Sequence, residues 1–178
     1  QNPKISHSSA KNLHWTQMSD EQMREIYGNY SRDITKPYSG SAEDLNKYLK
    51  GKGVLSEQGQ AFIDAQNKYG ISAAVLAGIA ISESGGTSSL ARKRFNVTSI
   101  SSSRGWRRFN NVSECIDYTA SMLANRYVKN SGLSGVSLKT LYQINAKYCP
   151  VSDTRNNSSN NRFWAQNVEN KVREIEKA

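Results

Sequence analysis

One glutamate ends the most apolar stretch of the chain. The segment AISESGGTSSLARKRFNVTSI, residues 80–100, places Glu83 after an apolar run and directly before a Ser-Gly-Gly turn, and the next acidic residue is Glu114. A carboxyl group at the end of an apolar helix face is partly desolvated, which favours a raised pKa and proton donation. The glycines let a ligand approach the main chain closely. This pattern is typical of a general acid in a cleft, and an ion pair with a nearby arginine is the alternative.

The stretch after Glu83 is strongly basic and carries aromatic residues. Its members are Arg92, Lys93, Arg94, Arg104, Arg107 and Arg108, with Phe95, Trp106 and Phe109 among them. Cations beside aromatic rings suit a single-stranded nucleic acid, and they suit other polymers that bear carboxylates or phosphates equally well. No helix-turn-helix, RRM or KH signature accompanies them, and nucleic-acid binding leaves Glu83 unexplained. We therefore predict no nucleic-acid partner.

Helix caps, glycines and periodicity predict a mostly α domain that positions these residues. Helices are expected over residues 19–27, 41–51, 56–70, 72–86, 113–128, 137–149 and 162–178, with N-caps at Ser19, Ser41, Ser56 and Ser72. Residues 94–112 predict a short β-hairpin and residues 150–161 a polar loop. Residues 1–18 lack a period, so we expect an extended or poorly ordered segment. We assign 1–40 to a leader or stalk with one short helix, and 41–178 to the domain.

Composition limits the classes of function. The 178 residues carry 24 Lys and Arg against 15 Asp and Glu, a net charge of +9, which suits an anionic partner. No apolar run reaches the length of a membrane span. Cys115 and Cys149 lack metal-ligand spacing and form either one disulfide or two free thiols. We predict neither a metal nor a cofactor. The chain begins without Met, so we expect a processed form from which an export signal or anchor is missing.

The residues around Glu83 resemble the signature of the peptidoglycan glucosaminidases of glycoside hydrolase family 73. The family's E-[ST]-G, [GT]-S-x-L-A and aromatic-Asn elements are similar to residues 83–85, 87–91 and 95–96. The resemblance runs roughly from residue 45 to residue 176, through LSEQGQAFIDAQNKYGIS, SECIDYTASMLANRYVKNSG, TLYQINAKYCP and FWAQNV. Two positions depart from the family: Thr98-Ser99, where it usually has Tyr-Gly, and Cys149.

The resemblance implies a fold and a set of site residues. It implies a lysozyme-like α lobe with a small β-hairpin lobe, and a glycan groove between them. Glu83 would protonate the β-1,4 bond between N-acetylglucosamine and N-acetylmuramic acid, and Tyr148 would orient the acetamido group or polarise the attack. The candidate substrate-binding residues are Ser84, Asn96, Trp106, Phe109 and Tyr118. An alternative role for Asn96 is to hold the hairpin base, and an alternative role for the aromatic residues is to pack in the core. We expect Trp164 to pack the last helix.

A single acid restricts the mechanism. A glycosidase normally uses two carboxylates, roughly 5–5.5 Å apart for retention or 6.5–9.5 Å apart for inversion. Glu114 and Asp117 are the next acids, but both fit the first turn of a helix. One acid suffices when the substrate's N-acetyl group attacks its own anomeric carbon. It also suffices in a lytic transglycosylase, which forms a 1,6-anhydro product. The resemblance favours hydrolysis, and a catalytically inactive wall-binding module is a third hypothesis because of Thr98-Ser99.

The resemblance also implies a location and partners. We expect an extracellular enzyme at the cell surface or cell wall, anchored to the membrane through a segment absent from this chain. Among family members it looks most like the single-domain Sag-type glucosaminidases, which implies trimming of glycan strands. The expected partners are peptidoglycan strands, anionic wall polymers and a membrane protein reached through the anchor.

Overall fold

Helices account for most of the chain, with one small hairpin between them. In residues 12–152 and 158–178, which this computed structural model describes, there are nine α-helices and one pair of antiparallel strands. The elements are α1 Asp20–Tyr27, α2 Ala42–Leu49, α3 Gly59–Tyr69, α4 Ala73–Glu83, α5 Ser89–Arg94, β1 Ser101–Ser102, β2 Gly105–Trp106, α6 Val112–Leu123, α7 Leu141–Tyr148, α8 Ser158–Asn161 and α9 Trp164–Lys177. The predicted class, mostly α with a small hairpin, is confirmed. None of the helices in these two ranges has the length and apolar character that crossing a bilayer requires.

Serine caps begin three of the helices as predicted. The hydroxyls of Ser19, Ser41 and Ser72 each accept a main-chain N–H of the first turn, at 3.1, 3.1 and 3.3 Å. These bonds satisfy N–H groups that have no partner within the helix. The predicted cap at Ser56 is wrong. Helix α3 begins at Gly59, because the Ser56 hydroxyl instead closes a loop back to the end of α2.

Helix α4 is the central helix and is buried along most of its length. Residues 73–80 are all buried, and the helix packs against α3, α6 and α9. Gly78 permits a close approach, since a Cβ at this position would lie 3.1 Å from Val172 Cγ2 of α9. A helix that is apolar on every face is typical of a protein core. The surrounding helices therefore hold the last residue of α4, Glu83, at a defined place.

The hairpin is shorter than the residues 94–112 predicted for it. Strands β1 and β2 pair over two residues each. Helix α5 lies between the predicted helix 72–86 and the hairpin, where the sequence predicted no helix, because six residues are too few to show a helical period. Helix α8 lies within the predicted polar loop 150–161, of which residues 153–157 fall outside the described part of the chain.

The segment before residue 41 packs into the same core as the rest of the chain. The expectation of an extended segment over 1–18 is wrong for its described part, because Trp15 lies in a 3-10 turn and is 6% exposed; residues 1–11 lie outside the description. Met23 and Ile26 of α1 and Ile34 join the core cluster. The domain boundary at residue 41 stays a prediction, and the described residues on its two sides share one core.

Candidate active site

The end of α4 is tied to the loop that leads into the hairpin. The Ser84 hydroxyl lies 3.0 Å from the Ala80 carbonyl oxygen and 2.9 Å from the Val97 carbonyl oxygen. It also accepts the Gly86 N–H at 3.1 Å. These contacts fix Glu83 relative to residues 95–100. Ser84 therefore has a structural role in this state, and its predicted role in substrate binding stays a prediction.

Glu83 is partly buried and has neutral hydrogen-bond partners. The Trp164 indole N–H donates to Glu83 Oε1 at 3.1 Å, and the Ser99 side chain is a second partner. Burial raises the pKa of Glu83 above its ordinary value, and the two hydrogen bonds offset only part of this effect. No cation among the described residues acts on this carboxyl group, which argues against the ion-pair alternative. The arrangement is suited to a carboxylic acid that holds its proton at higher pH than an exposed glutamate.

Tyr148 lies beside Glu83 at the end of α7. Its ring centroid is 5.3 Å from that of Trp164, and its hydroxyl donates to the Thr98 carbonyl oxygen at 3.0 Å. Burial raises the pKa of Tyr148 well above its usual range, and the negative charge of Glu83 raises it further. The phenol is therefore neutral at physiological pH and available as a hydrogen-bond donor.

A groove of about 440 Å³ adjoins these residues. It is lined by Ser99, Ile100, Ser101, Ser102, Gly105, Trp106, Tyr118, Met122, Arg126, Tyr127 and Tyr148. Of the residues predicted from the sequence, Trp106, Tyr118 and Tyr148 meet here, and Trp106 is 46% exposed. Aromatic faces with a few hydroxyls and one cation are suited to a polar ligand with apolar faces, such as a sugar. The groove reaches Glu83 through Ser99 and Tyr148.

Two other candidates serve the structure beneath the groove. Asn96 is fully buried: its amide N–H groups donate to the carbonyls of Ile100 and Arg107 at 2.8 and 2.9 Å, and its Oδ1 accepts the Ile100 N–H at 2.9 Å. These are the contacts of the alternative in which Asn96 holds the hairpin base. Phe109 is 3% exposed and its ring lies 5.7 Å from that of Tyr118, so it supports Tyr118 rather than facing the groove.

The two acids considered as second catalytic groups lie elsewhere. Glu114 is in the first turn of α6 and accepts the Asn110 N–H at 2.8 Å. Asp117 accepts the Tyr69 hydroxyl at 2.9 Å. No Asp or Glu is among the described residues that line the groove.

Several residues of the site were not identified from the sequence. Met122, Arg126 and Tyr127 line the groove without a local motif. Ser99 could have been identified from the sequence, because it stands where the family usually has the glycine of its Tyr-Gly pair. In the structure Ser99 has φ 59°, a conformation that favours glycine. Thr98 fills the tyrosine position and is buried, with its hydroxyl 3.3 Å from Cys115 Sγ. No disulfide joins Cys115 to Cys149.

The basic surface lies beside the groove. Its six cations, Arg92, Lys93, Arg94, Arg104, Arg107 and Arg108, are exposed. Arg94 donates to the Trp106 carbonyl at 3.2 Å, and Arg108 donates to the Lys93 carbonyl at 2.8 Å, which joins α5 to the hairpin. The Arg107 guanidinium lies 4.2 Å from the centre of the Tyr118 ring. This surface combines positive charge with direct contact to two groove residues.

The chain matches one family model and is similar in sequence to two staphylococcal proteins. The family model described as mannosyl-glycoprotein endo-beta-N-acetylglucosaminidase matches residues 59–177. The bifunctional autolysins of Staphylococcus epidermidis and Staphylococcus aureus are 37% and 35% identical to the chain over 107 residues, which is 58% of this chain but 8% and 8–9% of those proteins. The chain thus spans less than a tenth of the length of these relatives.

Solved structures show the same fold. A catalytic mutant of S. aureus autolysin E in complex with the disaccharide NAG-NAM superposes with a TM-score of 0.70 at 20% identity, covering 98% of this chain and 91% of that one. A major bifunctional autolysin superposes with a TM-score of 0.55 at 27% identity, covering 87% and 74%. The likeness to autolysin E confirms the predicted lysozyme-like fold.

Proposed function

Because the chain belongs to the glucosaminidase family of glycoside hydrolases, we propose that it hydrolyses the β-1,4 bond between N-acetylglucosamine and N-acetylmuramic acid in peptidoglycan. The observation that carries the proposal is Glu83, a desolvated carboxyl group with a raised pKa beside an aromatic groove. The NAG-NAM disaccharide in the autolysin E complex is a unit of this polymer and supports the same substrate class.

Glu83 supplies the proton in the proposed mechanism. The protonated carboxyl group donates its hydrogen to the glycosidic oxygen as the bond to the anomeric carbon breaks. The acetamido oxygen of the same sugar attacks the anomeric carbon, which gives a cyclic intermediate and a departing alcohol. The Glu83 carboxylate then takes a proton from the water that opens this intermediate. No second carboxylate is required, in keeping with the described lining of the groove.

Tyr148 and two hydrogen-bond donors assist this step. The neutral Tyr148 phenol orients the acetamido group by donating a hydrogen bond to it. This bond replaces the one that the phenol donates to the Thr98 carbonyl in the free protein. Trp164 and Ser99 stabilise the carboxylate that forms when Glu83 loses its proton. The exposed face of Trp106 and the ring of Tyr118 bind sugar rings by stacking.

Lytic transglycosylation is the second candidate. It uses the same single acid, but a hydroxyl of the muramic acid attacks the anomeric carbon and gives a 1,6-anhydro product. The lack of an acid in the described groove lining favours it as much as it favours substrate-assisted hydrolysis. A wall-binding module without activity is the third.

We place the protein at the cell wall, as its autolysin relatives suggest. The positive charge of the basic surface supports binding to anionic wall polymers. The proposed role of the enzyme there is the trimming of glycan strands. A membrane anchor and a membrane-protein partner remain predictions from the family resemblance.

Mass spectrometry of borohydride-reduced fragments tests these alternatives. Purified peptidoglycan is digested with the wild type and with Glu83→Gln, whose fold is checked by circular dichroism. Reduced N-acetylglucosamine ends that are absent with the variant support the proposal. Anhydromuramic ends identify a transglycosylase, and reduced muramic ends overturn the assigned bond. Binding without fragments supports the module.

A further inference from the structure

One part of the groove wall is a π turn. Helix α6 ends at Leu123, and Ala124–Val128 continues as a π turn in which the Lys129 N–H donates to the Ala124 carbonyl at 2.9 Å. A π turn inserts an extra residue into a helix and so changes the direction of the side chains around it. Such turns are frequent at functional sites. This one carries Arg126 and Tyr127, which both line the groove.

Arg126 is the one charged side chain among the described residues of the groove lining. It is exposed, and no carboxylate in the described part of the chain forms an ion pair with it. The other described lining residues offer aromatic rings, aliphatic groups and hydroxyls, which suit an uncharged sugar. The guanidinium adds a site for an anion within the same groove.

A second cation holds this turn in place. The Lys147 ammonium group donates to the Arg126 carbonyl and, at 2.9 Å, to the Ser131 carbonyl. Burial lowers the pKa of Lys147, and the positive charge of Arg126 lowers it further. Lys147 thus fixes the main chain that carries Arg126, and its ammonium group lies 4.3 Å from the centre of the Tyr127 ring.

We propose that Arg126 binds a carboxylate on the muramic acid side of the glycan strand and thereby selects peptidoglycan over strands made of N-acetylglucosamine alone. The inference rests on the proposed function and assigns the substrate class of the same groove. The planar guanidinium can donate two parallel hydrogen bonds to a carboxylate. The carboxylate has two chemical sources, the lactyl group of a strand without peptides and the stem peptide of a substituted strand. Both present the same group to Arg126.

Selectivity among three substrates tests the inference. The substrates are peptide-free glycan strands with free lactyl groups, the same strands with stem peptides, and N-acetylglucosamine oligomers without carboxylates. For each, kcat/KM and equilibrium binding are measured with the wild type, Arg126→Gln, Arg126→Lys and a charge-matched control, Lys50→Gln. Lys50 is exposed and lies outside the groove lining.

Arg126→Gln is expected to lose about 10- to 100-fold in kcat/KM and in affinity on carboxylate-bearing strands, the range of a charge-assisted hydrogen bond. Its preference over the uncharged oligomers falls accordingly. Arg126→Lys retains part of the preference, and Lys50→Gln retains all of it. A loss confined to one carboxylate-bearing substrate identifies the lactyl group or the peptide as the source.

An Arg126→Gln protein with wild-type preference on both carboxylate-bearing strands overturns the inference. This outcome differs from a failure of the proposed function, in which the wild type releases no fragments from any substrate. In that case the binding measurements still decide whether Arg126 recognises the carboxylate.

Discussion

The hydrogen bond from Trp164 to Glu83 should influence how activity depends on pH. The indole N–H lies 3.1 Å from Glu83 Oε1 and stabilises the charged carboxylate, so it lowers the pKa that burial raises. Trp164→Phe removes the donor and keeps an aromatic ring. The pKa of Glu83 should therefore rise further in this variant.

The size of the change follows from the strength of such a bond. A hydrogen bond to a charged group contributes about 1.5–3 kcal/mol, so ionisation of Glu83 should become less favourable by about this free energy and its pKa should rise accordingly. A general acid must be protonated to act, and kcat/KM falls as pH rises through its pKa. The alkaline limb of the profile should move to higher pH by the same amount.

The assay is the release of soluble fragments from peptidoglycan across a pH series. Trp15→Phe is the matched control, since Trp15 is also buried but has no contact with Glu83. The position of the limb is the readout, because packing losses lower the rate at every pH without moving it. An alkaline limb that stays in place or moves to lower pH in Trp164→Phe contradicts the reasoning.

Three further predictions concern stability. Glu83→Gln should raise the Tm at pH 7, because it removes a carboxylate whose charged form is disfavoured by burial. The folded-state pKa of Glu83 is raised, so the stability of the wild type falls as pH rises through that pKa. The gain in Tm should therefore vanish below the ordinary glutamate pKa. Arg32→Met should cost about 1–3 kcal/mol in urea unfolding at pH 7, since Arg32 donates to the buried Glu169 at 2.6 and 3.1 Å. Burial alone would raise the pKa of Glu169, but these bonds lower it overall, so the cost should shrink as pH falls through the folded-state pKa, and a pH-independent cost counts against this account. Gly86→Ala should lower the Tm more than Gly51→Ala, because both residues have positive φ but only at Gly86 would a Cβ meet a main-chain carbonyl oxygen, at 2.1 Å; equal losses contradict this.

Features set by neighbouring residues could be predicted from the sequence. The caps at Ser19, Ser41 and Ser72 depend on bonds within one helical turn, and α4 is apolar on every face. The caps and the apolar faces require no knowledge of distant parts of the chain. The direction of the Glu83 pKa was expected from its place at the end of that helix, but the burial that raises it depends on how distant segments pack around the carboxyl group.

Features that depend on distant contacts could not be predicted in this way. Trp164 packs the last helix into the core as expected, but its hydrogen bond to Glu83, 81 positions away, was not predicted. The burial of Phe109 beneath Tyr118 depends on how the hairpin folds onto α6. Tyr148 was identified as a site residue only through the family resemblance. The one local sign of an unusual conformation at Ser99 was that the family usually has glycine at this position.

The most direct test of the account is to titrate Glu83 and compare the result with the rate. The side-chain carboxyl signals of ¹³C-labelled glutamate are followed by NMR, and the signal that is absent in Glu83→Gln identifies this residue. We predict a midpoint above the ordinary glutamate value that coincides with the alkaline limb of kcat/KM. A midpoint at or below the ordinary value, or a limb at a different pH, contradicts the assignment of Glu83 as the proton donor.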